Sequence, residues 1–388
     1  MTENEPRSSR AAQGSMTPLV SICLPNLNAR PFLEERFHTI LGQTLQDWEL
    51  FVYDSHSDDG SWELIQDFAK KDARIRILQG PREGPYPAWN ECLRNTTGEY
   101  VYVATSDDSM APEFLERMVT GLATYPDCDL AHSPVVIVDD RGEAVKELPW
   151  PDVTAFADGI GDLVSIPHIR RAPYDGLVQL TGRHVVLSIT QLLIRRSLFS
   201  RIGMFTNRWG SVSDFNWEMK AGLLANTLHV PNTWATWRYH SAQLTAGVDS
   251  RSAEYSRKIE EMIQDAVRTC EPHLPAAIVD GIRSGMLERA KHLRAYYSML
   301  RHHRERAFSK RFFQVSQAFT GPKAVRSEIL GRILGRPKWS ENATTEIRQW
   351  LESLGIDPLV RCAPDSQTVA GHRASAMNAG RLNLDASL

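Results

Sequence analysis

The sequence is short of the features that mark several large protein classes. Its five cysteines, Cys23, Cys92, Cys128, Cys270 and Cys362, are odd in number, far apart and never in a Cys-x-x-Cys pair. That usage excludes a disulfide framework and a structural zinc site, and predicts reduced thiols in a cytosolic protein. No uninterrupted apolar run approaches the ~20 residues of a membrane helix. Residues 1–17 are polar and carry no apolar secretory core, so a flexible tail is expected there, with a second polar tail over 361–388. Neither Gly-x-x-x-x-Gly-Lys nor Gly-x-Gly-x-x-Gly occurs, which disfavours a P-loop kinase and a standard dinucleotide dehydrogenase. Charge of one sign is also lacking. Lys plus Arg number 44 against 47 Asp plus Glu, a net charge of −3. Nothing global therefore draws the chain to nucleic acid or an anionic membrane. The basic string around Arg301 to Arg306 has no interleaved aromatics and reads as a solvated helix face.

What is present is alternation. Apolar runs at 19–25, 48–53, 75–78 and 100–104 are each followed by a helical pattern, at about 31–41, 60–70, 86–96 and 112–125. Strand and helix repeated four times predict right-handed βαβ units: an α/β fold with a mostly parallel sheet and helices on both faces. The pattern loosens after an apolar run at 130–138. Residues 149–182, rich in Pro, Gly and Asp, read as a loop with a short helix. A strand at 189–194, a helix at 196–202, a helix beginning at Asp214 and one or two strands over 227–239 follow. From 253 to about 354 the chain reads as helical and charged, either a second domain or a wrap on the first. The expected division is 18–250 for the α/β domain and 251–360 for the helical region.

In such sheets ligands bind beyond the carboxyl ends of the strands. Asp54 and the pair Asp107-Asp108 each follow a strand directly, so all three are expected on one sheet edge. Adjacent like charges at ~4 Å repel by roughly 1 kcal/mol in water and roughly 4 kcal/mol at an effective dielectric of 20. A divalent cation would turn that cost into a gain, and hard oxygen donors suit Mg²⁺ or Mn²⁺ completed by substrate phosphates. Helix capping by Ser106 to Ser109 is the plain alternative. Asp58 and Asp59 read best as turn and cap residues. The stretch Gly84-Pro-Tyr-Pro-Ala-Trp-Asn90 opens a helix where free N–H groups favour anions, or is simple turn chemistry. Asp214 is either a first-turn acid or a general base. Arg238 and His240 lie two apart on one strand face, where Arg238 can meet a diphosphate and His240 a metal or phosphate.

Together these segments resemble the inverting family 2 glycosyltransferases with the GT-A fold. The likeness covers roughly residues 19–125 and, more loosely, 189–245. Val20-Ser-Ile-Cys-Leu-Pro-Asn-Leu-Asn28 is similar to the family's opening strand, and Tyr53-Asp-Ser-His-Ser-Asp-Asp-Gly-Ser61 to its Asp-Asp-Gly-Ser block. Gly84, Ala88, Asn90 and Gly98 match its spaced Gly, Ala, Asn and Gly. Thr105-Ser-Asp-Asp108 is similar to its Asp-x-Asp type metal site, and Ser213-Asp214 to its Glu-Asp base motif. Leu27, Ser55, His56 and Ser213 depart from the usual residues.

The resemblance implies a metal-dependent transfer of sugar from a nucleoside diphosphate sugar, UDP-linked as first choice, to an acceptor hydroxyl. Asp54 would bind the base, with Pro25, Asn28 and Asn90 around the nucleotide sugar. Asp107 would contact ribose or support the metal, and Asp108 would hold the Mn²⁺ or Mg²⁺, with His240 as a second candidate ligand. Arg238 would face the diphosphate, and Asp214 would deprotonate the acceptor. The implied partners are the donor and a saccharide, lipid-linked or protein acceptor, as in polysaccharide biosynthesis. No nucleic acid is expected, and the place is the cytoplasm or the inner face of the membrane. The competing readings are a nucleotidyltransferase and an inactive nucleotide-sugar-binding module.

Overall fold

The computed structural model describes residues 17–145, 160–246, 248, 252–285, 292, 313, 314, 316–318, 320–333 and 339–362. Of the tails expected at 1–17 and 361–388 only residues 17, 361 and 362 are among these, and Arg361 ends a strand rather than opening a tail; the beginning of the loop at 149–159 and the 301–306 basic string lie outside them. The first half follows the predicted alternation. It runs β1 (Val20–Asn26), α1 (Arg30–Leu41), β2 (Trp48–Asp54), α2 (Ser61–Lys71), β3 (Ile75–Gln79), α3 (Pro85–Arg94), β4 (Tyr100–Val103) and α4 (Phe114–Thr124). Proline stands in the first turn of α1 and α3, where its missing N–H costs nothing.

Next come β5 (Cys128–His132), β6 (Val135–Val138), β7 (His168–Arg170), α5 (Tyr174–Leu180), β8 (Leu192–Arg195), α6 (Ser197–Ile202), α7 (Asp214–Leu224), β9 (Asn226–His229) and β10 (Ala235–Arg238). The C-terminal part holds α8 (Ala253–Cys270), α9 (Ala276–Arg283), helices Lys323–Ile333 and Trp339–Ser353, and β11 (Leu359–Arg361).

Among the described residues nine strands form one sheet in the order β11-β7-β9-β5-β8-β4-β1-β2-β3. Only β7 and β8 run against the rest, so the sheet is mostly parallel in direction, as expected. Three local expectations are corrected. The run 130–138 is two strands, because Pro134 breaks the ladder, and β6 leaves the main sheet to pair with β10. The strand expected from 189 opens instead with a turn of 3₁₀ helix, Ile189–Gln191, capped by Ser188 and Gln191, before β8 starts. Within the described part of the expected loop, the short helix is there as α5, with every residue buried, but a strand that was not expected, β7, pairs with β9.

Period-two alternation sorts the core. Val20, Ile22 and Leu24 of β1 pack with Leu33, Phe37 and Ile40 of α1 on one face. On the other face Cys23, Phe51 and Val101 meet Tyr86 and Trp89 of α3 and Trp217 of α7. A third cluster joins α5 and α7 to Ile259, Met262 and Ile263 of α8, with Ile278, Leu351 and Leu359. The C-terminal region is therefore a wrap, and its last strand extends the sheet. α5 and α7 cross at Gly176 and Gly222, where a Cβ on either would come within 2.5 Å of backbone from the other. Among the described residues no helix is long and apolar enough to cross a membrane.

Candidate active site

The carboxyl ends of β2, β1 and β4 lie side by side and carry the first predicted residues. Asp54 closes β2 in register with Asn26 of β1. It is fully buried. Its Oδ1 accepts hydrogen bonds from Asn26 Nδ2 at 2.8 Å and the Ser57 hydroxyl at 2.6 Å. Its Oδ2 accepts from the Ser57 amide at 2.9 Å and Gln79 Nε2 at 3.1 Å. Four donors round one carboxylate make Asp54 the anchor of this loop. Asn28, in the left-handed region at φ 52°, exchanges two hydrogen bonds with Asp58. Asp59 accepts from the Arg30 amide at 2.9 Å, so it satisfies the start of α1 as well as the Ser61 amide of its own helix. Arg82 donates to the carbonyls of Ser55 and His56 and pairs with Asp58. The Pro25 carbonyl accepts from the Ser106 hydroxyl at 2.6 Å, which ties β1 to the acid loop.

The two adjacent aspartates have different surroundings. Asp108 is 2% exposed. Its Oδ1 accepts from the Arg238 amide at 2.7 Å and its Oδ2 from the Thr105 hydroxyl. Burial, reinforced by the neighbouring Asp107, pushes its pKa up to about 7. Asp107 is more open, and its Oδ2 lies 3.0 Å from His240 Nε2. Its Oδ1 has no hydrogen-bond partner among the described residues. Arg238 is buried. Its Nε donates to the Asp107 carbonyl at 2.6 Å, Nη1 to the Asp139 carbonyl at 3.1 Å, and Nη2 pairs with Glu35 at 2.7 Å. The guanidinium lies 5.0 Å from the centre of the Phe32 ring, which in turn sits 4.8 Å from His240. Arg238 thus fastens β10, α1 and the acid loop together, with its charge turned into the protein.

Asp214 begins α7. Its Oδ1 accepts from the Phe215 amide at 3.0 Å and from the Tyr86 hydroxyl at 3.1 Å. Burial pushes its pKa up to about 6, opposed by the Tyr86 hydrogen bond. One turn on, Glu218 is buried, and burial plus the nearby Asp214 raise its pKa well above the usual range. Asn90 exchanges hydrogen bonds with both backbone groups of Phe205, at 2.8 and 3.1 Å. It braces the segment leading to α7, and its amide is not turned to open space.

β2 and β4 flank β1, so the end of β2 at Asp54 and the end of β4, from which the acid loop leaves, stand about two strand spacings apart, ~10 Å. α3 follows β3 on the same edge, and its Tyr86 brings Asp214 there. Tyr86, Thr105, Glu35 and Phe32 went unassigned in the sequence. The partners of Tyr86, Glu35 and Phe32 lie far along the chain, whereas Thr105 reaches Asp108 only three residues on; the proline-flanked tyrosine at a helix start hinted at a special place. Among the described residues no three His, Cys, Asp or Glu side chains gather to cage a metal. Asp107 with His240 supplies two donors, which fits a dication that takes its remaining ligands from phosphate and water.

A twisted, mostly parallel sheet with acids collected at its carboxyl edge is a GT-A type transferase fold. The crystal structure of S. aureus TarS 1–349 in complex with UDP-GlcNAc shares it, at a TM-score of 0.52 and 13% identity, covering 87% of this chain and 92% of that one. Residues 21–203 match the family described as glycosyl transferase family 2. Over 103 residues it is 36% identical to the uncharacterized glycosyltransferase EpsJ of Bacillus subtilis (strain 168), covering 26% of this chain and 30% of EpsJ. Over another 103-residue match it is 34% identical to the putative teichuronic acid biosynthesis glycosyltransferase TuaG of the same organism, covering 26% and 41%. The chain therefore spans less than half the length of these two curated relatives.

Proposed function

We propose that the protein is an inverting glycosyltransferase that moves a sugar from a nucleoside diphosphate sugar, UDP-linked as first choice, to an acceptor hydroxyl. One observation carries this reading. Two acids from distant segments, Asp107 and Asp214, reach the same sheet edge, each with one carboxylate oxygen engaged and the other without a hydrogen-bond partner among the described residues. The relatives' names and the UDP-GlcNAc complex of TarS support the donor class.

Asp107 and His240 are the residues that would hold Mn²⁺ or Mg²⁺, and such an ion, when bound, would supply Lewis-acid stabilisation of charge on the diphosphate. Asp108 shapes the loop through Thr105 and Arg238 and leaves the donor set to Asp107. Asn28, Pro25 and Arg82 form the wall against which the nucleoside would lie, anchored from behind by the buried Asp54, while Asn90 braces the segment leading to α7. Asp214 receives the acceptor proton through its open oxygen. Burial raises its basicity toward the range useful near neutral pH. The domain from residue 18 to about 250 carries the site, and the wrap beyond it stiffens the base helix.

A donor panel tests the reading. A nucleoside diphosphate sugar should raise the melting temperature in the presence of Mn²⁺, and transfer should release nucleoside diphosphate. Asp107→Ala should lose the Mn²⁺-dependent part of that stabilisation. Asp214→Asn should keep donor binding and lose turnover by about 10²-fold or more. Release of pyrophosphate would point to nucleotidyl transfer, and stabilisation without turnover on any acceptor to a binding module.

A further inference from the structure

The two oxygens of Asp214 are not equivalent. Oδ1 faces the Phe215 amide and the Tyr86 hydroxyl, whereas Oδ2 has no partner among the described residues. Tyr86 sits on a rigid mount. It is 1% exposed and packs edge-on against Trp89 at 5.0 Å and 88°. One turn along the same helix, Asn90 grips the backbone of Phe205. α3 thus holds both the approach to α7 and the carboxylate at its start, across 128 residues of sequence.

We propose that Tyr86 is a positioning residue for the base: its hydroxyl clamps Oδ1 so that Oδ2 alone is presented to the acceptor. This rests on the reading of Asp214 as the base. In the step itself the acceptor O–H bond breaks and its proton passes to Oδ2. The acceptor oxygen forms the new bond to the anomeric carbon, and the bond from that carbon to the diphosphate breaks, its electron pair leaving with the diphosphate. A hydroxyl donating to a carboxylate favours the ionised form. Tyr86 therefore opposes the effect of burial and keeps Asp214 unprotonated to lower pH. The titratable groups around it are Tyr86 from α3, Glu218 on its own helix, and His184, whose ring lies 4.0 Å from that of Phe215.

The test is the pH dependence of kcat in Tyr86→Phe, which keeps the ring and its packing. The expected result is an acid limb moved up by about one pH unit, with the donor KM and the melting temperature little changed. An unmoved limb overturns the proposal. If Tyr86→Phe melts early, 3-fluorotyrosine incorporated at position 86 serves instead: a stronger donor should move the limb down, and no movement overturns the proposal. In Glu218→Gln the limb should persist. Its disappearance would assign the limb to Glu218 and remove Tyr86 from this role. Asp214→Asn separates the two levels. Retained turnover there refutes the base itself, whereas an inactive Asp214→Asn beside an unmoved Tyr86→Phe limb refutes only the clamp.

Discussion

At the scale of single residues, neighbours in sequence have different work. Asp107 and Asp108 share a loop, yet one opens to the site while the other is buried between Thr105 and the backbone of Arg238. Which of two adjacent acids faces outward depends on backbone turns that composition does not encode. Arg238 illustrates the same point: a strand-end arginine is a natural phosphate ligand by type, but Glu35, Phe32 and three backbone carbonyls absorb it. Asp54 is the clearest case for a stability measurement. Removing a buried carboxylate that satisfies four donors leaves Asn26, Ser57 and Gln79 unmet, so Asp54→Ala should lower the unfolding free energy by about 3 kcal/mol. Urea unfolding reads this directly, and an unchanged midpoint would show that the loop does not depend on its anchor.

At the scale of elements, the ends of β5, β9 and β7 set three histidines in a row. His132 pairs in register with His229, and His229 with His168. All three are buried, and His132 and His229 meet through their Nδ1 atoms at 3.3 Å. Burial, with Arg170 nearby, lowers the pKa of each, that of His168 from 6.5 to about 4. The folded protein keeps His168 neutral where the unfolded chain takes up a proton. Its contribution to stability is thus complete above about pH 6.5 and is lost as pH falls toward 4. Asp108 and Asp214, with raised values, act in the opposite sense, since the folded state binds their protons first. The effect is therefore read as a difference from a variant. Between pH 7 and pH 4, His168→Gln should gain about 3 kcal/mol relative to the parent protein, measured by urea unfolding at each pH. Parallel profiles would show that His168 is not held neutral.

At the scale of the whole molecule, the wrap shares a hydrophobic core with the part that carries the site. α8 buries Ile259, Met262, Ile263 and Ala266 against the α5 and α7 core, and Asn216 of α7 donates to the Met262 carbonyl at 2.9 Å. Phe215 and Met219 lie in this same cluster, next to Asp214. A chain ending at residue 250 should leave that apolar face uncovered. The expectation is loss of a cooperative melt or self-association, seen by calorimetry and sedimentation. A monomer with an unshifted melt would mean that the α/β part stands alone.

The α/β alternation, the strand-end places of Asp54 and the acid pair, and the kinship carried by those blocks were all legible in the sequence. Period-two and helical spacing are local properties, and parallel strands joined by crossovers leave their carboxyl ends on one edge. The split of 130–138 by Pro134 was equally local. Only the tertiary structure decided which acid is open and which is buried, that Arg238 turns inward, that Tyr86 meets Asp214, and that the C-terminal helices are a wrap closed by a strand. Each of these depends on contacts between residues far apart in the chain, where burial and partner geometry outweigh the intrinsic preference of any side chain.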